Sequence, residues 1–181
     1  MALPVRRLVV PPILKKYPNG DLPLDLLRPI KPFGHLYVTA AASWTAMKKD
    51  AKKDGVILKP TSVVDAYRPL TVQRSVFYQR YSTTKIDGRP TRTYNGKTWW
   101  LKPGFAPLAS PGTSNHGYGL AVDVANYGSE ARLEWLLENA DRFGWSWEVQ
   151  SEPWHIRYVL GDDLPEGVQL PTATVDSEAQ E

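Results

Sequence analysis

Apolar residues between Val38 and Asp54 fall at Ala40, Ala41, Trp44, Met47 and Ala51. That three-to-four spacing predicts a helix with one buried stripe, and Gly55 stops it. Ser62-Val-Val-Asp-Ala66 predicts a short strand, and Thr71 is placed to cap a second helix running to about Tyr81. Ser129 caps a third, with an apolar face at Leu133, Leu136, Leu137 and Ala140 and an end before Gly144. Trp145–Val149 and His155–Leu160 alternate as strands. Thr93-Tyr-Asn-Gly-Lys-Thr-Trp-Trp100 predicts a hairpin, because Asn95-Gly96 suits a tight turn. Short strands with interspersed helices favour a single small α+β domain, an antiparallel sheet flanked by helices.

The flanks read differently. Residues 1–37 hold seven of the 16 Pro and predict an extended segment wrapped over the core of a domain spanning 38–161. Within that domain, residues 82–112 are rich in Gly, Pro, Thr and Ser and read as an insertion carrying the hairpin. Residues 162–181 carry six acids and no base and predict a disordered tail. The remaining 161 residues hold 22 Lys and Arg against 13 Asp and Glu, a net of +9. These bases are scattered, which argues for a solvated surface and against a nucleic-acid stripe.

Composition removes several possibilities. Without Cys there is no disulfide framework and no thiolate metal site, so any metal must be held by His, Asp or Glu. No apolar run approaches the ~20 residues needed to span a bilayer. The N-terminus has Arg6 and Arg7 but no apolar stretch of useful length, so no signal peptide is expected. A monomer made in the cytoplasm, reaching any outside target by another route, is the expectation. Seven Trp and nine Tyr leave packing and ligand binding both open.

Two stretches carry the chemistry, Ser114-Asn-His-Gly-Tyr-Gly-Leu-Ala-Val-Asp123 and Glu152-Pro-Trp-His155. They contain two of the chain's three His; His35 reads as a surface residue. His116, Asp123 and His155 form the ligand set of a catalytic Zn²⁺ site with one position open. His116 and Asp123 are seven apart, and Gly117 and Gly119 make a helix between them unfavourable. A turn at Gly117–Gly119 would let His116 end one segment while Asp123 sits on the next strand. There Leu120 and Val122 would face one side, and Ala121, Asp123 and Ala125 the other. On the last strand His155, Arg157 and Val159 share a face.

In such a site the metal would lower the pKa of a water and polarise a scissile carbonyl. Glu152, held extended by Pro153, is placed to act as general base without ligating the metal. Arg68, in Asp65-Ala-Tyr-Arg-Pro69, is the candidate for meeting an oxyanion. A substrate carboxylate would need Arg or hydroxyl donors, with Ser114, Tyr118 and Arg157 as candidates. Arg68 paired with Asp65 and Trp99-Trp100 used for packing are the structural alternatives.

These residues also carry a family resemblance. Ser-x-His-x-x-Gly-x-Ala-x-Asp at 114–123 with Glu-Pro-Trp-His at 152–155 resembles the VanY-type D-alanyl-D-alanine carboxypeptidases. The wider group includes lysostaphin-like peptidases and the Hedgehog domain. Tyr67-Arg68 with Gln73 resembles that family's upstream element, and the match covers about residues 38–160. The resemblance implies zinc on His116, Asp123 and His155, Glu152 as base, Arg68 and Gln73 at the substrate, the group's α+β fold, and a peptidoglycan stem peptide as substrate. The 82–112 insertion resembles versions encoded by phages of actinobacteria, which implies cell-wall action during lysis or from a virion. Related phage enzymes cleave the L-alanyl-D-glutamate bond, but usually resemble an Asp-x-Pro-His pattern, so carboxypeptidase cleavage is favoured here. A non-catalytic zinc-stabilised wall-binding module and a structural virion component are the other readings.

Overall fold

A computed structural model describes residues 2–171, the Glu130 side chain excepted. Its centre is a three-stranded antiparallel sheet of β6 (Ala121–Asp123), β7 (Trp145–Trp147) and β8 (His155–Tyr158). Here β8 lies in the middle and pairs with both neighbours. The register sets Val122 opposite Ile156, and Trp147 and Trp145 opposite Ile156 and Tyr158. All five are buried in the main core. The alternate positions pair Asp123 with His155, and Ala121 and Ser146 with Arg157. The period of two therefore gives one face to packing and leaves the polar residues on the other.

Helix α1 (Val38–Lys53) covers the core face. Trp44 meets Trp145 edge-on at 5.5 Å, and Met47 and Ala51 are fully buried beside it. Trp145 Nε1 donates to Ser43 Oγ at 3.0 Å, which satisfies the indole inside the core. The third helix, Glu130–Asn139, packs Leu136 against the same core and runs through a 3₁₀ turn to Gly144.

The proline-rich start wraps the domain and also supplies part of its interior. Leu3, Leu14, Leu22, Leu27, Ile30 and Leu36 are all buried. Two short strands there, β1 (Leu27–Pro29) and β2 (His35–Tyr37), pair with each other. Local proline content could not show that these Leu find the main core, since the contacts are long-range. The segment after Leu160 begins anchored, with Tyr37 Oη donating to Asp162 Oδ1 at 2.7 Å and Tyr158 Oη to the Asp163 carbonyl at 2.6 Å. Residues 172–181, half of the expected disordered tail, lie outside the described residues.

Three local expectations change. Ser62–Ala66 is not a strand: Asp65 N donates back to Ser62 O in a turn, and Val63 is exposed. The segment meets β6 through single bonds, Thr61 N to Asp123 O and Asp123 N to Asp65 O, which bend it around the strand end. The second helix, Leu70–Arg80, starts behind Pro69 rather than being capped by Thr71, and Tyr81 leaves it as strand. Ser129 precedes its helix without capping it; its hydroxyl accepts from Arg132 instead.

The insertion folds as a second sheet in the order β3 (Tyr81–Ser82), β5 (Lys97–Leu101), β4 (Thr91–Tyr94). Its turn holds Asn95 at φ 50° and Gly96 at φ 68°, the positive pair that a two-residue hairpin requires. Phe77, Tyr81 and Leu101 form a separate small core, packed by Tyr94, Trp99 and Leu108. Trp99 sits 5.4 Å from Phe77, so its ring is packing within this lobe.

Candidate metal centre

The turn that carries His116 is a 3₁₀ helix, Asn115–Tyr118, entered from Ser114, whose Oγ accepts from His116 N. Gly117 is needed for closeness: a Cβ there would lie 2.0 Å from Asn19 Oδ1. Gly119 is needed for conformation, at φ 66°, and a Cβ would also press within 2.7 Å of Tyr37 N. The two glycines thus let the chain reverse between His116 and β6 while touching the N-terminal wrap. His116 is buried, and its Nδ1 donates to the Ala66 carbonyl at 2.9 Å. A carbonyl only accepts, so Nδ1 carries the proton and Nε2 presents a lone pair.

Asp123 and His155 face each other across β6 and β8. His155 Nδ1 lies 2.9 Å from Asp123 Oδ1, and His116 Nε2 lies 3.3 Å from the same oxygen. Ligands of a tetrahedral zinc held at about 2.0–2.1 Å stand about 3.3 Å apart, so the spacing suits such an ion. The three donor atoms lie within 4.8 Å of one another and are the His/Asp/Glu metal cluster found among the described residues. Arg68 closes the other side: Nη2 donates to Asp65 Oδ1 at 3.0 Å and to Asp123 Oδ2 at 3.4 Å. Arg68 therefore holds Asp123 in place, and its main chain ties to the His116 turn through Arg68 N to His116 O.

The electrostatics express the same convergence. Burial drives the His116 pKa down, with Asp123 only partly offsetting it, so this ring is neutral at pH 7. Burial also opposes charge on His155, but hydrogen bonds to Asp123 and Glu148 outweigh it and push its pKa up to about 9. Burial would raise the Asp123 carboxyl, yet its bonds with His116 and His155 hold it well below the usual carboxylate range. Two imidazoles and a permanent carboxylate aimed at one point make a site for positive charge, met by a proton on His155 or by a cation.

One cavity of about 720 Å³ joins this cluster to the insertion lobe. Arg68, Ser114, Glu152 and Trp154 line it together with the three donor residues. The Glu152 carboxylate takes no hydrogen bond or ion pair from the described side chains, so it is available to the cavity. Tyr118, Gln73 and Arg157 do not line it. Tyr118 packs on the main core. Buried Gln73 is a structural node, accepting from Gly112 N and donating to Asn19 Oδ1 and the Arg68 carbonyl. Arg157 reaches the Arg6 carbonyl and Glu148.

Glu148 is the site residue that sequence reading missed. Its Oε2 accepts from His155 Nε2 at 3.0 Å and from Asn115 Nδ2 at 2.8 Å. The signal available was slight: Glu148 and Glu152 are the two acids in the β7–β8 connection.

The chain is similar to several known proteins. The chain is 31% identical over 125 residues to a D-alanyl-D-alanine carboxypeptidase of Enterococcus faecalis (strain ATCC 700802 / V583), covering 60% of this chain and 42% of that protein. It is 26% identical over 170 residues to the putative carboxypeptidase YodJ of Bacillus subtilis (strain 168), covering 78% and 56%. The chain thus spans about half the length of these relatives. Among solved structures, the LdcB LD-carboxypeptidase superposes with a TM-score of 0.55 at 23% identity, covering 77% of this chain and 71% of that one. VanYB in complex with D-Alanine-D-Alanine gives 0.52 at 23%, covering 77% and 78%. A VanY D,D-pentapeptidase mutant in complex with Zn(II) gives 0.52 at 22%, covering 88% and 86%. These likenesses establish a common fold. The model of the VanY D-alanyl-D-alanine carboxypeptidase family matches residues 35–161, from the strand His35–Tyr37 through β8 with the whole donor cluster inside, and the chain belongs to that family.

Proposed function

We propose that this chain is a zinc-dependent peptidase that removes the terminal D-alanine from peptidoglycan stem peptides ending in D-Ala-D-Ala. The observation that carries the reading is the convergence of His116 Nε2, Asp123 Oδ1 and His155 Nδ1, with Glu152 on the wall of the same cavity. The donor set fits zinc: three N and O ligands with both lone-pair tautomers fixed from outside. Zn(II) in one structural relative and D-Ala-D-Ala in another support the assignment.

His116, Asp123 and His155 would hold the ion. Bound there, zinc supplies Lewis acidity and brings the pKa of a water towards neutrality. Glu152 accepts the proton of the attacking water on its carboxylate and returns it to the leaving amine, the two halves of one general acid–base cycle. Arg68 spends Nε and Nη2 on Val64, Asp65 and Asp123. Its Nη1 makes no bond with the described residues and is assigned to the developing oxyanion. Ser114, on the cavity wall, is assigned to the substrate carboxylate; Tyr118, Gln73 and Arg157 support the site from outside the cavity. No helix among the described residues is long and apolar enough to cross a membrane. Cell-wall action in a phage lysin setting is the context we assign from the insertion.

Mass spectrometry of purified muropeptides, pentapeptide stems included, after incubation with zinc-loaded protein tests the reading. Loss of one terminal D-Ala is the expected result. A stem released after L-Ala would replace it with the endopeptidase reading. Intact stems, with zinc confirmed in the protein, would replace it with a binding module.

A further inference from the structure

Both imidazoles of the centre are oriented from behind, but by different groups. His116 is held by the main-chain carbonyl of Ala66. Any residue at position 66 supplies that carbonyl. His155 is held by a side chain, Glu148, at 3.0 Å from Nε2. Glu148 is itself tied on two sides. Asn115 Nδ2, in the turn next to His116, donates to it at 2.8 Å, and Arg157 Nη1 on β8 lies 3.4 Å from its other oxygen. One carboxylate thus links β7, the His116 turn and β8, the three pieces that must keep their spacing for the donors to converge.

The chemistry follows from what a carboxylate can do. It only accepts, so it fixes one proton of His155 on Nε2, and when zinc displaces the other proton the Nδ1 lone pair faces Asp123 and the cluster. It also makes the ring a better donor to a metal by drawing on the Nε2–H bond. Without it, Nε2 would lose its acceptor, and the ring could turn or take the other tautomer. Position 148 also lines the cavity, so a direct role on substrate is the rival explanation.

We propose that Glu148 is a positioning residue that holds His155 as an Nδ1 metal ligand and sets the affinity of the site for zinc. The inference rests on the zinc reading above, and it is tested without substrate. Zinc affinity is measured by competition with a chromophoric chelator for the parent protein, Glu148→Ala and Glu148→Gln. Visible spectra of the cobalt-substituted forms are recorded alongside. The expected result is a loss of about 10- to 100-fold in zinc affinity for Glu148→Ala and a changed cobalt spectrum. Glu148→Gln keeps an acceptor oxygen for Nε2–H, so most of the affinity and the parental spectrum should return. Should Glu148→Ala fail to fold, the Gln variant decides alone: it must bind zinc through an unchanged cobalt spectrum.

Parental zinc affinity and spectrum in a folded Glu148→Ala protein would overturn the proposal. So would lost peptide hydrolysis at unchanged zinc affinity, which would move Glu148 to the substrate. Absence of zinc binding by the parent protein would overturn this inference and the zinc reading together. Failure of the proposal alone shows as tight zinc binding that does not depend on position 148.

Discussion

The metal centre and the hairpin lobe share one cavity but are built in opposite ways. The lobe is local: a hairpin of consecutive residues closes on an Asn-Gly turn and packs its aromatics on the helix just before it. Phe77 stacks on Tyr81 at 4.5 Å and meets Tyr94 and Trp99 edge-on at 5.4 Å. The centre is assembled from distant pieces, with Ala66 orienting His116 and Arg68 clamping Asp123. One region is held by apolar contact and tolerates small changes of shape. The other is held by directional bonds to buried polar groups, where each lost partner leaves an unsatisfied neighbour. Stability should therefore reside more in the lobe's packing, and chemistry in the centre's geometry.

The largest test of that division is Glu152→Ala. Hydrolysis should fall by about 10²- to 10⁴-fold as general-base assistance is lost, with zinc content and unfolding midpoint unchanged. Retained turnover would remove Glu152 from the mechanism. Phe77→Ala probes the other region. Emptying a fully buried aromatic position should cost about 3–5 kcal/mol in urea unfolding while the folded protein still takes up one zinc. Loss of zinc in the folded variant would show that the two regions are one cooperative unit.

A pH series sharpens the contrast, since the lobe's core contains no group that titrates near neutrality. In metal-free protein the His155 pKa stands at about 9 against an ordinary 6.5, because bonds to Asp123 and Glu148 outweigh burial. That imidazolium stabilises the fold fully below pH 6.5, and the contribution is lost as pH rises through about 9. Zinc competes with that proton, so its affinity should climb by up to about tenfold per pH unit across the window. Calorimetric titration at several pH values measures it, and a flat profile would contradict the convergence of donors on Nδ1. The smallest effect belongs to Asn95→Ala. Placing Ala at φ 50° should cost about 1 kcal/mol, seen as a lower melting temperature with hydrolysis unaffected. A stability loss above that of Phe77→Ala would reverse the ranking.

Much of this was legible along the chain. Helix α1, the Asn-Gly hairpin and the alternation of β8 rest on neighbours a few residues apart, and they appear within a residue or two of their predicted ends. The split of β6 and β8 into a core face and a ligand face followed from period two alone. The turn at Ser62–Ala66 was not legible, because its Val-Val pair favours a strand. Its turn bond from Asp65 N to Ser62 O, its bonds to the two ends of Asp123 and those from Arg68 to Val64 and Asp65 bend it away. Gln73 is read as a substrate contact from the family resemblance, and Arg157 as a donor to a substrate carboxylate; the structure adds bonds that neither reading foresees. Their partners, Asn19 and Arg6, lie 54 and 151 residues away.

What the sequence determined by itself was the chemistry available: two imidazoles, an aspartate, a glutamate three residues before the second His, and the glycines that let His116 and Asp123 approach. Residue type fixes donor atoms and turn conformation without any knowledge of the fold. The tertiary structure decided how those donors are aimed. The Ala66 carbonyl meets His116 Nδ1, Glu148 meets His155 Nε2, and Arg68 holds the Asp123 carboxylate from behind. Hydrogen bonds act over about 3 Å and depend on angle. Which groups meet at that range is decided only when strands, turns and the N-terminal wrap pack together.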